Sequence, residues 1–234
     1  MQNNWNGKKK ALTFSYDDGV LQDIRLIELF NKYGMKATFN LNSDKLGKPG
    51  ALIREEKHVD HTKVKAADVR HIYAGHEVAV HTLTHPHLEN IESDEDVIRE
   101  IEQDRLRLSE LCGYEVVGMA YPFGTYNERV VRLMHEHTGV RYARTVRSTH
   151  DFFAPQSDLL TFHPTVYHHV EWDTMLDLGE KFLALRPDEP ALFYVWGHAY
   201  EFDIHDDWAR FEEFLRRMSG HADVFYGTNR EVLL

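Results

Sequence analysis

The sequence has very little cysteine and no long apolar run. Its single cysteine, Cys112, excludes an internal disulfide and a zinc cluster built from several cysteines. No stretch approaches the roughly 20 consecutive apolar residues of a membrane-spanning helix. The amino-terminal segment, residues 1–10, has no apolar core of the kind found in signal peptides. We therefore expect a soluble, cytoplasmic protein without a membrane partner, in which Cys112 packs in the core.

Positive charge is also scarce. The 27 lysines and arginines are outnumbered by 38 aspartates and glutamates, which gives a formal net charge of −11. This balance argues against nucleic acid, or an anionic membrane surface, as a partner. With 42% hydrophobic and 28% charged residues, the composition is that of an ordinary globular protein. No repeat, low-complexity segment or break in composition is visible, which predicts one domain over residues 1–234.

Strand and helix patterns alternate along the chain. The first strand is predicted within Leu12–Gly19. Further strands are predicted at Lys36–Asn42, Glu77–Val80, Val116–Ala120, Val140–Val146, Ala191–Trp196 and Asp223–Tyr226. Residues 43–65 read as a long loop and residues 147–170 as irregular. Strands that alternate with helices predict an α/β fold with a parallel sheet.

Two adjacent aspartates, Asp17 and Asp18, stand at the end of the first predicted strand. Within a strand their side chains would point to opposite faces, but this alternation breaks where a strand passes into a loop. Gly19 permits such a turn, so both carboxylates can reach one pocket. The alternative is that Asp18 merely caps a helix that begins near Val20.

Residues whose side chains can take part in catalysis or ligand binding follow several other predicted strands. Together with the two aspartates they are His81, His85, Tyr121, Pro122, Phe123, Gly124 and His198. In a parallel barrel the carboxyl ends of the strands converge on one face, where active sites are built. The sequence therefore predicts an active site at that face.

His81 and His85 are four positions apart. On one turn of helix, or in a tight loop, this spacing brings two imidazoles to a common point, as zinc-binding pairs require. The Asp18 carboxylate would complete a set of two histidines and one carboxylate, with positions left open for water and substrate. The alternative is a pair of surface histidines around Pro86, since the chain has 16 histidines.

Asp17 then lies beside the metal but is not needed as a ligand. Such a carboxylate can act as a general base for water. His198 follows a strongly apolar strand and can protonate a leaving group, because imidazolium titrates near neutral pH. The alternative for His198 is a hydrogen-bonded histidine of the core.

These stretches resemble the motifs of the polysaccharide deacetylase family, the NodB-homology domain of carbohydrate esterase family 4. The family's T-F-D-D-G is similar to Thr13-Phe14-Ser15-Tyr16-Asp17-Asp18-Gly19, and its H-[ST]-x-x-H to His81-Thr82-Leu83-Thr84-His85. Its R-x-P-[FY]-G corresponds to Ala120-Tyr121-Pro122-Phe123-Gly124, and its L-x-H to Trp196-Gly197-His198. The motifs span most of the chain in the family's order.

The resemblance implies a distorted (β/α) barrel with about seven parallel strands and a bound divalent metal. The implied metal ligands are Asp18, His81 and His85. We expect zinc, and cobalt, nickel or iron suit the same ligands. Asp17 would be the catalytic base and His198 the general acid. A backbone N–H near Phe123 would help to hold the tetrahedral oxyanion.

The chain departs from the family pattern at the substrate pocket. The third-motif arginine, which orients the catalytic aspartate in relatives, is Ala120 here. Arg144, or else Arg147, is predicted to supply that charge, the alternative being a plain surface cation. Trp196 replaces the fifth-motif leucine and would narrow the pocket or offer a stacking face for a sugar ring. The fourth motif has only a loose echo at Glu171-Trp172-Asp173. The predicted substrate-binding residues are Tyr121, Phe123, Arg144 and Trp196.

Three functions follow from this pattern, with a carbohydrate or a small-molecule amide as the partner. The first is hydrolysis of an N-acetyl group on an amino sugar, an oligosaccharide or a glycoconjugate. The second keeps the site but acts on a small formamide or ureide. The third is a protein that keeps its metal and binds carbohydrate without turnover, and its one support is the missing arginine at Ala120.

Overall fold

The computed structural model describes residues 5–154, 156 and 158–234, so part of the amino-terminal segment lies outside the described residues. Ten strands lie within these ranges. They are β1 (Lys10–Asp17), β2 (Ala37–Leu41), β3 (Ala51–Arg54), β4 (Lys57–Asp60), β5 (Glu77–Val80), β6 (Gly118–Ala120), β7 (Tyr142–Arg144), β8 (Val166–Tyr167), β9 (Ala191–His198) and β10 (Val224–Tyr226).

Eight strands form one curled, parallel sheet, as predicted. Seven of them follow the order β7-β6-β5-β2-β1-β9-β8, and β10 pairs with the first half of β1. The stretch that leads into β8 nearly closes the curl, because the Phe162 N–H donates to the carbonyl of Ala143 in β7. The (β/α) barrel of about seven strands is thus confirmed, with incomplete closure.

The central strands β1 and β9 determine at which end of the barrel the site lies. Every residue of β1 is buried, which is typical of a strand covered on both faces. Asp17 at its end is paired in register with Asn40 of β2 and with His198 of β9. The side chains that follow these three strands therefore meet at one edge of the barrel.

Nine α-helices cover the sheet in the described part of the chain. They are α1 (Gln22–Lys32), α2 (Val69–Ile72), α3 (Asp94–Ile98), α4 (Asp104–Cys112), α5 (Glu128–His137), α6 (Trp172–Ala184), α7 (Glu201–His205), α8 (Trp208–Met218) and α9 (Asn229–Leu233). A π-helical segment, Arg99–Gln103, joins α3 to α4. Cys112 is buried at the end of α4, as predicted. Among the described residues, no helix is long and apolar enough to span a membrane.

Two predicted irregular regions contain strands. Residues 43–65 include an antiparallel hairpin, β3–β4, which we call the pocket hairpin. Its strands are short and mostly exposed, so they show no apolar alternation that would predict them. The region 147–170 contains β8, which has only two residues. The single-domain organisation remains a prediction.

Candidate active site

The predicted catalytic and metal-binding residues line one pocket of about 590 Å³ at the carboxyl ends of the strands. Its walls include Asp17, Asp18, His81, His85, Tyr121, Phe123, Trp196 and His198. Leu52 and Arg54 of the pocket hairpin, with Lys45, His61, Val146, Tyr167 and Tyr200, complete the lining. Arg144 lies behind this surface rather than on it.

A left-handed turn lets Asp17 and Asp18 share the pocket. Asp18 has a φ of 84°, Gly19 a φ of 61°, and the Asp18 N–H donates to the Asn40 carbonyl at 2.9 Å. The strand alternation ends there, so the two side chains no longer diverge. The alternative that Asp18 caps α1 is wrong, since Leu21 is the N-cap residue and no side chain caps that helix.

Asp18, His81 and His85 each offer a ligand atom, and the three atoms lie within 4.8 Å of one another. The two histidines stand in a tight loop rather than on a helix, because Thr82 and His85 both have positive φ. Glu100, in the π-helical segment, holds this loop through the N–H and hydroxyl of Thr84 at 2.9 and 3.0 Å. Such π segments are frequent at functional sites. The alternative of surface histidines does not fit His81, which is 1% exposed.

The surroundings of these side chains fit a divalent cation. His81 Nδ1 contacts the Ala120 carbonyl at 2.8 Å, the backbone contact that commonly orients a metal-ligating imidazole and leaves Nε2 free. Burial lowers the pKa of His81 and lowers that of His85 to about 3, so both rings are neutral and able to ligate. Burial alone would raise the pKa of Asp18, but its polar neighbours hold it well below its usual range.

Two of those neighbours were missed in the sequence. His61 Nε2 lies 3.0 Å from Asp18 Oδ2, and Lys63 Nζ lies 3.5 Å from Oδ1. Both follow β4 in the stretch that reads as a loop, where no motif singles them out. A cation held by Asp18 would therefore share this carboxylate with Lys63.

Arg144 brings a guanidinium to the Asp17 carboxylate. Its Nη2 donates to both oxygens of Asp17, at 2.6 and 2.5 Å, and its Nε donates to Ser15 Oγ at 3.2 Å. Burial raises the pKa of Asp17, but Arg144, with His81 and His198, lowers it below its ordinary value. Arg144 is 0% exposed and is not part of the pocket lining, and its predicted role in substrate binding remains a prediction. It holds the carboxylate from behind.

His198 is paired with a glutamate that sequence reasoning missed. Glu201 Oε1 lies 3.0 Å from His198 Nδ1, and its other oxygen accepts the His198 N–H at 2.9 Å. Burial lowers the pKa of His198, but the Glu201 carboxylate outweighs it and raises the pKa to about 9. His198 Nε2 lies 4.0 Å from Asp17 Oδ2 and faces the pocket. The spacing His198-Ala199-Tyr200-Glu201 on a strand-to-helix turn was the available signal.

The loose match to the fourth motif, Glu171-Trp172-Asp173, does not line the pocket. Trp172 packs in the core near Phe211, and Glu171 pairs with His150.

The aromatic walls differ in what they can offer a substrate. Trp196 is 5% exposed, with the Tyr167 ring stacked 4.2 Å away and the Arg144 guanidinium over the indole. It therefore narrows the pocket and leaves no face for sugar stacking. Tyr121 is buried and donates to the Leu160 carbonyl at 2.8 Å. Phe123, in contrast, is 55% exposed at the rim and stacks on His87.

Comparisons with known proteins identify the family and the fold of this chain. The sequence model of the polysaccharide deacetylase family matches residues 4–143. A search of curated proteins finds no match. A proposed polysaccharide deacetylase from Mycobacterium smegmatis superposes with a TM-score of 0.70 at 16% identity, over 97% of this chain and 89% of that one.

Two Bacillus structures are also similar. A CE4 family pseudoenzyme from Bacillus anthracis gives a TM-score of 0.58 at 16% identity, over 97% of this chain and 66% of that one. A polysaccharide deacetylase from Bacillus cereus gives 0.51 at 19% identity, over 64% of this chain and 44% of that one. At these identities the likeness shows the shared fold, and this chain spans less than two thirds of the Bacillus proteins. Because the family match covers more than half of the chain, this chain belongs to the polysaccharide deacetylase family.

Proposed function

We propose that this protein is a metal-dependent deacetylase that hydrolyses the N-acetyl group of an amino sugar, an oligosaccharide or a glycoconjugate. The observation that carries the proposal is the pairing of Asp17 with His198. The two side chains are 4.0 Å apart, and their surroundings shift their pKa values in opposite directions. Titratable neighbours with diverging pKa values are typical of a general base and a general acid in one site.

Each residue then has a definite task. Asp18, His81 and His85 would hold the divalent cation, with zinc expected and cobalt, nickel or iron suited to the same ligands. When bound, the cation polarises the amide carbonyl and lowers the pKa of a water molecule.

Proton transfer falls to the other two residues. Asp17, kept ionised by Arg144, accepts the proton of the attacking water. His198, kept protonated by Glu201, donates a proton to the leaving nitrogen as the C–N bond breaks. The products are acetate and a free amine, so atoms and charge balance.

Two other functions use the same pocket. A small formamide or ureide needs the same base, acid and cation, so the acyl group has to be tested directly. The binding-only function has a precedent in the relative described as a pseudoenzyme. Its support in this chain, the alanine at Ala120, is weakened because Arg144 contacts Asp17 with the same kind of group. The cytoplasmic location remains a prediction.

Metal content and acetate release test the proposal together. The assay on N-acetylglucosamine oligomers compares purified wild type with His81→Ala, Asp17→Asn and the surface control His137→Ala. We expect His81→Ala to lose about one metal equivalent and its activity, and Asp17→Asn to keep the metal but lose activity. His137→Ala should match wild type, because that side chain is half exposed on α5.

The possible failures are distinct. Metal binding with release of formate or ammonia from small amides, but no acetate, would move the function to the second candidate. Metal and carbohydrate binding without any turnover would leave the binding-only protein. If wild type takes up no metal and His81→Ala is as active as wild type, the metal-dependent hydrolase is refuted.

A further inference from the structure

A second group of metal-type ligands lies outside the active site. Glu55, His169 and His205 each offer one ligand atom, and the three atoms lie within 4.8 Å of one another. His169 Nε2 is 3.1 Å from Glu55 Oε1, and His205 Nε2 is 2.7 Å from Glu55 Oε2. The two imidazole rings are stacked, with centroids 5.7 Å apart. Each ring thus directs Nε2 at a different oxygen of one carboxylate.

The three residues come from separate parts of the chain. Glu55 is at the tip of the pocket hairpin, His169 follows β8, and His205 ends α7. None of them belongs to the motifs that define the active site. Their convergence is therefore a property of the folded chain and not of one local turn.

The hairpin tip itself favours a role for the Glu55 side chain. Glu55 and Glu56 both have positive φ, at 49° and 64°. A two-residue turn of this kind normally takes asparagine and glycine, which adopt positive φ at low cost. A glutamate there is conformationally unfavourable, and the contacts of its carboxylate with two imidazoles can offset that cost.

We propose that Glu55, His169 and His205 form a second zinc site that ties the pocket hairpin to the rest of the barrel. Two imidazole nitrogens and one carboxylate oxygen are ordinary zinc ligands, and a water completes the tetrahedron. The atoms are already close enough to be neighbours in one coordination sphere, so small side-chain movements suffice.

A competing arrangement is less suitable. His169 also lies near His168 and Glu201. Glu201, however, already contacts His198 and accepts the Tyr167 hydroxyl. His168 is buried, with its ring stacked on Phe202. Glu55 and His205 are about half exposed and can be reached from solvent, so His169 is best placed to act with them.

The proposed site would act on the active pocket through the hairpin. Leu52 and Arg54, next to Glu55 in sequence, line that pocket. The hairpin also contacts α7 through the hydrogen bond from Lys57 Nζ to the Ile204 carbonyl. Zinc would join the hairpin tip to α7 and to the end of β8, and so hold one wall of the pocket in place.

The test measures zinc stoichiometry with zinc chloride as the only ligand, at mildly alkaline pH, after removal of loosely bound metal. We expect about two equivalents in wild type and about one in each of Glu55→Gln, His169→Ala and His205→Ala. Glu56→Gln is the matched control, because it makes the same chemical change one residue away. It should keep two equivalents. Circular dichroism and thermal melting of the metal-free proteins establish that the variants are folded.

A second series of variants distinguishes zinc bound at the proposed site from metal bound at the active site. His81→Ala should keep about one equivalent, and His81→Ala combined with His205→Ala should keep none. Hydrogen exchange of residues 51–60 should be slowed by zinc in His81→Ala but not in the double variant. If any of the three single variants binds as much zinc as wild type, or if His81→Ala binds none, the second site is refuted whatever the enzyme's activity.

Discussion

Replacing Glu201 with glutamine should change the pH range over which the protein is active. The change keeps the size of the side chain and most of its hydrogen-bonding capacity, but it removes the negative charge next to His198. The general acid must be protonated to act, so a raised pKa extends activity upward in pH. Loss of the glutamate charge should therefore shift the alkaline limb of the pH–activity profile to lower pH and leave its acid limb unchanged.

The magnitude follows from the geometry. Opposite charges about 4 Å apart interact by about 4 kcal/mol at an effective dielectric constant of 20, which is about 3 pKa units. His198 is 19% exposed, so solvent reduces this interaction and we expect a fall of about 2 units. The pKa of His198 would move from about 9 to the neutral range. Near pH 8 the protonated fraction, and hence kcat, should drop about tenfold, while near pH 6 it should change less than about twofold.

The assay is kcat and KM for acetate release across the pH range, for wild type, Glu201→Gln and Glu213→Gln. Glu213 lies on the exposed face of α8, so its replacement makes the same chemical change far from the pocket. We expect an unchanged KM and a profile for Glu213→Gln that matches wild type. If folded Glu201→Gln keeps the alkaline limb of wild type, or loses activity equally at all pH values, His198 is not the acid whose pKa Glu201 sets.

Two further substitutions test the pocket. Arg144→Ala removes the main partner of the buried Asp17 charge, which keeps only the Asn40 amide at 2.8 Å and the more distant His198. It should cost about 3–5 kcal/mol of stability and at least about 100-fold in kcat, measured by denaturant unfolding and acetate release. Arg147→Ala should change neither the stability nor kcat. Adding Ala120→Arg to Arg144→Ala should recover part of the lost stability and part of the lost kcat. An inactive but fully stable Arg144→Ala would contradict the structural role of the ion pair. Phe123→Ala should raise KM several-fold with kcat within about twofold, since this ring is exposed at the rim. An unchanged KM would remove Phe123 from the substrate contacts.

The fold was predictable because its strands have a clear pattern. The apolar runs that become β1 and β9 are buried along nearly their whole length, and such runs between helices indicate a parallel sheet. The adjacent aspartates and the His81/His85 pair could be placed together for the same reason, since they follow strand ends. The position of Arg144 near Asp17 was predicted from the family resemblance, which implies an arginine beside the catalytic aspartate where this chain has Ala120. The catalytic roles remain predictions until they are measured.

What the sequence did not reveal depends on contacts between distant segments. The pocket hairpin has exposed, mixed side chains, so no periodicity marks its strands. His61 and Lys63 reach Asp18 only because the chain returns from that hairpin to the mouth of the barrel. Trp196 could be read as a stacking surface because sequence does not show that Tyr167 and Arg144 already cover it.

The register of β6 and β7 has a consequence for how such enzymes are recognised. Ala120 and Arg144 are direct neighbours across these two parallel strands. A guanidinium can therefore start from either backbone position and still meet the carboxylate of Asp17. The requirement is for a positive charge at one point in space, and two sequence positions can meet it. A motif search that demands arginine at the first position would overlook a chain that supplies the guanidinium from the second.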